Sequence, residues 1–193
     1  MLIENDFDVA QPVDRVWRFF DDIPQVASCL PGAELTEDLG DGKYEGRVTV
    51  RMGPVKLRFA GTADITERDE PGRRIVVHAS GAEERGRGQA TMVVTATLTA
   101  AGQGTKVAVG QDLQLAGAAA QYGRGMIADV SSVLMRDFAA NMQDRIIRAD
   151  RGESVAQASA APASGFAVGM RAAMLALSRV FRRFFAPYQS NPS

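Results

Sequence analysis

Five stretches of this chain alternate apolar and polar residues with a period of two, and short turn sequences separate them. In RVTVRM, Val48, Val50 and Met52 share a face against Arg47, Thr49 and Arg51. In KLRFAGTADIT, the shared face is Leu57, Phe59, Gly61, Ala63 and Ile65. Ile75, Val77, Ala79 and Gly81 follow, then Ala90, Met92, Val94, Ala96 and Leu98, then Val107, Val109, Gln111, Leu113 and Leu115. The separators are rich in Gly and Pro: Gly40-Asp41-Gly42, Gly53-Pro54, Glu70-Pro71-Gly72 and Ala101-Gly102-Gln103-Gly104. Such alternation marks strands buried on one face, and turns this short make neighbouring strands antiparallel. The outcome is a β-meander with one apolar face that something must cover.

One long segment is available to cover it. From about Ala119 to Ile147, Met126, Ile127, Val130, Val133, Leu134, Phe138 and Met142 recur at helical spacing, while Asp129, Arg136, Asp137 and Arg145 fall largely away from that stripe. Ahead of the meander, Leu2–Val9 reads as a strand. PVDRVWRFFDD reads as a helix with Pro12 suited to its first turn, and Val13, Val16, Trp17 and Phe20 on one side. A second short helix is expected within IPQVASCL, ended by Pro31-Gly32. Residues 1–148 therefore form an α+β domain, and 193 residues allow one such domain plus an appendage.

The appendage differs in chemistry. RGESVAQASAAPASG is rich in Ala and Ser, and residues 149–165 read as a flexible linker with an end-to-end distance of about 20–25 Å. Residues 166–187 predict an amphipathic helix. Phe166, Met170, Met174, Leu177, Val180, Phe181, Phe184 and Phe185 fall within about 140° of arc, opposite Arg171, Arg179, Arg182 and Arg183. Residues 188–193 are expected to be a disordered terminus. From Ser154 onward there are four arginines and no acid, which leaves the other 153 residues with 18 basic and 23 acidic side chains. Four arginines argue against spanning a bilayer, at about 2.5–3.5 kcal/mol each near its centre. They suit a helix lying in the interface, with rings in the acyl boundary and guanidinium groups among anionic headgroups. Packing of this helix on its own domain or on a partner protein is the alternative.

Catalytic and metal-binding patterns are sparse. His78, the single histidine, sits on a strand opposite in phase to Val77 and Ala79, which points it away from the covered face. No histidine pair, cysteine cluster or Asp-x-Asp loop has metal-ligand spacing. Gly86-Arg87-Gly88 lies between strands, not ahead of a helix, so it is no phosphate cradle. The lone Cys29 precludes an intramolecular disulfide and reads as a small buried apolar group. Glu83-Glu84 reads as a solvated strand end. The body carries no basic patch of nucleic-acid type. The opening MLIENDFDVAQP shows no secretory signal, so the domain is expected in the cytoplasm, peripheral at the inner face of the cell membrane.

The covered face is unusual in its small residues: Gly61, Ala63, Ala79, Gly81, Ala90 and Ala96. Either helix and sheet approach closely, or a cavity separates them. An apolar cavity with few polar groups is a small-molecule site without catalytic machinery. The candidate lining, from phase alone, is Phe20, Leu30, Met52, Phe59, Val77, Met92, Val94, Gln111, Leu113, Tyr122, Met126, Ile127 and Val130. Gln111 would be the buried polar group. It needs a partner, for which a ligand carbonyl is one candidate; otherwise it satisfies a backbone group or sits at a bulge. Tyr122 is either a second such donor or a core aromatic.

The order strand, two short helices, Pro-Gly, meander and long helix resembles the helix-grip fold of the START-like, or SRPBCC, superfamily. More narrowly, CLPGAEL (29–35), DGKYEGRVTVRMGPVKLRFAGTADI (41–65) and LAGAAAQYGRGMI (115–127) resemble the CoxG family of carbon monoxide dehydrogenase over about residues 1–148. The resemblance implies a non-catalytic accessory of a carbon monoxide dehydrogenase-type molybdenum hydroxylase. It implies a hydrophobic ligand in the grip, a respiratory quinone (menaquinone or ubiquinone), carried between membrane and enzyme. It also leaves open a cyclase- or aromatase-like enzyme of the same fold, and an assembly or recruitment factor for the dehydrogenase.

Overall fold

A computed structural model of the chain describes residues 1–151. Seven strands, β1 (Leu2–Val9), β2 (Ala33–Gly40), β3 (Lys43–Met52), β4 (Val55–Asp69), β5 (Arg74–Glu83), β6 (Gly88–Ala101) and β7 (Gly104–Gly117), form one antiparallel sheet in the order β1-β7-β6-β5-β4-β3-β2. The meander expected from the alternation runs from β2 to β7, and β1 adds to its far edge.

Between β1 and β2 lie α1 (Val13–Phe19) and α2 (Ile23–Cys29). Asp22 caps α2 by accepting from the Gln25 backbone N–H at 3.1 Å. After α2 the chain turns through Leu30-Pro31-Gly32. The Gly32 carbonyl accepts from the Thr49 N–H at 2.8 Å, docking the turn on β3.

The long helix, α3 (Arg124–Asp150), begins later than expected. Ala118–Gln121 form one 3₁₀ turn, and Tyr122 and Gly123 are extended, so the helix cannot run through them. It also continues two residues past the expected boundary at 148. The remaining linker, the amphipathic segment 166–187 with its apolar and arginine faces, and the terminus 188–193 lie outside the described residues.

Strand β2 is not evident in the sequence. Register shifts between Leu35 and Glu37 and between Asp38 and Gly40 break its alternation, and most of its residues are exposed.

Rows of inward side chains cross the sheet. One row is Ile65–Val77–Val94–Gln111–Ile3, and the next is Tyr44–Ala63–Ala79–Met92–Leu113. A third is Gly46–Gly61–Gly81–Ala90–Leu115. In it, backbones approach closely. A Cβ on Gly61 would sit 1.9 Å from the Ser80 carbonyl oxygen and 2.5 Å from the Gly81 Cα. Glycine at this point is where a strand bends against its neighbour.

Gly110, by contrast, has nothing within 4 Å of an added Cβ and no positive φ. Gly61→Ala is therefore expected to cost about 2 kcal/mol or more, lowering the melting temperature by at least about 5 °C, or to prevent folding. Gly110→Ala is expected to stay within about 2 °C of the parent in the same thermal scan.

Candidate functional site

The inner face of the sheet has a packed end and an open end. At the packed end, Val9, Val16, Trp17, Phe20, Cys29, Ile75, Leu98, Val107, Val109, Phe138, Met142 and Ile146 make one buried cluster. It joins α1, α2, four strands and the C-terminal half of α3. The Arg68 guanidinium lies 4.4 Å from the Trp17 ring centre and that of Arg73 lies 5.4 Å away, so two cations flank the indole. Arg68 is ion-paired with Asp21, and Arg73 with Asp14 at 2.5 Å. Asn141 on α3 donates to the Cys29 carbonyl at 2.9 Å. Burial pushes the Cys29 thiol up to about 11, partly opposed by the Arg145 charge, which leaves it a poor nucleophile.

At the other end, Phe59, Gly61, Ala63, Ala79, Gly81, Ala90, Met92, Leu113 and Leu115 face inward yet are only half-buried. The backbone of α3 runs closest to β1, α2 and β3 and stands off from β4, β5 and β6. A second, smaller cluster of Ile3, Met52, Leu57 and Ile127 closes the start of α3 onto the β3–β4 hairpin, with Phe59, Leu113, Tyr122 and Val130 against it. Between α3 and the central strands, small and apolar side chains are thus left half-buried beside the packed core, on the side of the β3–β4 and β5–β6 turns.

Polar groups in this space are few. Gln111, 7% exposed, points to α3, where the Ser131 hydroxyl donates to its Oε1 at 3.0 Å. Ser131 in turn accepts from Asn5 Nδ2 at 3.1 Å, and Ser132 donates to Asn5 Oδ1 at 3.0 Å. The relay ties β7 and β1 to α3. β7 is in regular register at Gln111, so a bulge is not the explanation for it. The Gln111 amide nitrogen has no hydrogen-bond partner among the described residues, and it is not sealed from solvent. A ligand that covered this nitrogen would have to supply an oxygen for the donor, because an amide left unpaired on burial is costly.

Several expectations change. Met126 is 45% exposed and does not line the space. With α3 starting at Arg124, its inward meridian passes through Ile127, Ser131, Phe138, Met142 and Ile146, which turns Met126 and Val133 outward. Phe20 and Leu30 belong to the packed floor, with Val77 and Val94 bordering it. Met52, Phe59, Met92, Leu113, Tyr122, Ile127 and Val130 do gather at or beside the open end. His78 is exposed on the outer face, in register with Asp64 and Val93.

Two clefts lined by described residues lie elsewhere. One is at the β6–β7 turn beside Pro12, and the other is a polar trough over His78, Asp64 and Asp112 on the outer face. Among the described residues, no three His, Cys, Asp or Glu side chains converge as a metal site.

Glu83 is the largest correction. It is 3% exposed, not a solvated strand end. Its carboxylate accepts from Arg87 Nη2 at 2.8 Å and Nε at 3.2 Å, and from the backbone N–H groups of Arg85 at 3.0 Å and Arg87 at 3.2 Å. Arg87 also donates to the Lys56 carbonyl at 3.1 Å. One carboxylate thus folds the β5–β6 turn and ties it to β4. The sequence does carry a signal for this: Glu83 is in phase with Ala79 and Gly81, and an arginine follows four residues on.

The grip of a curved antiparallel sheet on one long helix defines a helix-grip protein. A similar arrangement is seen in a conserved protein from Geobacillus kaustophilus (TM-score 0.69, 20% identity, 77% of this chain and 97% of that one). It is also seen in the Zhui aromatase/cyclase from Streptomyces sp. R1128 (TM-score 0.57, 18% identity, 80% and 98%) and in TTHA0849 from Thermus thermophilus (TM-score 0.56, 15% identity, 77% and 99%). At these identities the likeness is one of fold. A comparison with curated proteins finds no match. The family profile of the CoxG subunit of carbon monoxide dehydrogenase matches residues 6–147, and the chain belongs to that family.

The Arg87 hydrogen bonds, outweighing the opposing effect of burial, hold the Glu83 carboxyl down from 4.5 to about 2. A lowered carboxyl stabilises the fold above pH 4.5, and that contribution fades as the pH falls towards 2. Glu83→Gln is expected to lower the midpoint of urea unfolding at pH 7. Its deficit against the parent should shrink steadily between pH 4.5 and pH 2.

Proposed function

We propose that this protein is a non-catalytic accessory of a carbon monoxide dehydrogenase-type molybdenum hydroxylase, and that it carries a respiratory quinone between the membrane and that enzyme. The observation that carries the reading is the half-buried face of small residues beside α3, which ends on the Gln111 amide nitrogen, without a partner among the described residues. A quinone matches it: an apolar ring and isoprene units for the Ala, Met and Leu walls, and a ring carbonyl for the amide donor. Isoprenoid quinones barely dissolve in water, so a water-exposed oxidoreductase meets them only if a protein screens the apolar surface in transit. CoxG membership supports the dehydrogenase as partner.

The arginine-rich segment 166–187 supplies a membrane-surface contact by its sequence pattern. No helix among the described residues is long and apolar enough to cross a bilayer.

The cyclase-like reading draws on the fold shared with the Zhui aromatase/cyclase. Against it stand the placement of His78 on the outer face and the engagement of Glu83 by Arg87, which withdraw two ionisable candidates from the space.

The test is organic extraction of the full-length protein purified from quinone-containing cells, followed by mass spectrometry. The expected result is about one quinone per chain. Gln111→Leu, which keeps about the same volume and removes both the donor and the oxygen that accepts from Ser131, should retain at least about fivefold less after equal washing, no less than the effect of one lost hydrogen bond. Quinone-free protein from quinone-rich cells would contradict the carrier reading.

A further inference from the structure

The open end of the grip differs in charge from the rest of the molecule. It is built from the segments 51–58, 83–88 and 115–127. Three hydrogen bonds to backbone carbonyls lace these together: Arg87 Nη2 donates to the Lys56 carbonyl at 3.1 Å, the Ala118 N–H to the Arg87 carbonyl at 2.7 Å, and the Glu84 N–H to the Arg58 carbonyl at 2.8 Å. They hold six basic side chains and two acids. Both acids are taken: Glu83 by Arg87 at 2.8 Å, and Glu84 by Arg47 at 3.4 Å and Arg58 at 3.5 Å. Arg51, Lys56, Arg85 and Arg124 are exposed and have no ion-pair partner among the described residues. Residues 1–151 as a whole carry 18 basic and 22 acidic side chains. Outside these three segments, residues 1–151 carry 12 basic and 20 acidic side chains. Pro54 and Met126 stand exposed among the four cations.

We propose that this basic end of the folded domain is a second contact with anionic lipid, which sets the mouth of the grip against the membrane surface. The inference rests on the carrier reading and deepens it. A basic, nearly acid-free rim with exposed apolar tips is attracted to anionic headgroups, and the acidic remainder of the domain is repelled, so one orientation is selected. A ligand leaving the bilayer would then enter between α3 and the central strands without crossing water.

The experiment uses the full chain, with segment 166–193 intact in every arm, and vesicles of phosphatidylglycerol and phosphatidylcholine against phosphatidylcholine alone. Lys56→Glu/Arg85→Glu/Arg124→Glu is expected to weaken sedimentation with the anionic vesicles by roughly tenfold or more at low salt. Arg18→Glu/Lys43→Glu/Arg136→Glu, the same charge change on exposed sites away from the rim, should bind as the parent does. Hydrogen exchange of the unmutated protein, which needs no variant to fold, should slow in 51–58, 84–88 and 118–126 when anionic vesicles are added. Unchanged vesicle binding by the rim variant, or protection that spares these segments, would overturn the proposal. That includes the outcome in which the same variant loses an acidic protein partner instead. Vesicle binding needs no bound quinone, so failure here and failure of the carrier reading are separate results.

Discussion

Everything distinctive about this molecule follows from where α3 is held. Its C-terminal half is pinned: Phe138, Met142 and Ile146 enter the same buried cluster as Trp17, Ile75, Leu98 and Val107. Its first turns are fastened only at the margin, through Ile127 on Met52 and Leu57 and through Ser131 on Gln111 and Asn5. A helix held at one end and one edge cannot also lie on the central strands. The small side chains of β4–β6 are therefore left half-covered, in the place where larger residues would otherwise have filled a core.

The polar relay matters to this arrangement because it replaces apolar packing with direction. Gln111 and Asn5 sit on neighbouring strands, β7 and β1, and both reach the same serine of α3. The relay fixes the height of the helix above the sheet at the border between packed core and open space. It leaves one amide donor without a partner among the described residues. At the rim, Glu83 has the matching task for the turns. It converts a segment of repelling cations into a closed loop by engaging Arg87, while Arg85 stays outward.

How much of this is legible in the sequence depends on periodicity. The strands β3–β7 are plain because a sheet with one buried face must alternate, and their inward rows follow the alternation. β2 is hidden, since two register shifts and a solvated face erase it. Gln111 stands out by phase, but Ser131 does not. The apolar stripe runs through Met126 and Val133 on paper, and only the extended Tyr122-Gly123 step shows that the helix is rotated away from them. Glu83 escapes for a different reason: its burial depends on a partner across a turn, which periodicity does not encode. Gly61 reads as making room for a cavity, and it also has a backbone cause in its contact with Ser80 and Gly81.

The proposed ligand site lies between α3 and the half-buried part of the sheet. Its most direct test is a methyl-resolved NMR titration of the full-length protein with a short-chain, water-soluble quinone. Saturable shifts are expected for Ala63, Ala79, Met92 and Leu113, with Ile75 and Leu98 in the packed floor little changed. Shifts confined to the outer-face trough around Val93, or no saturable shift at any inner-face methyl, would contradict it.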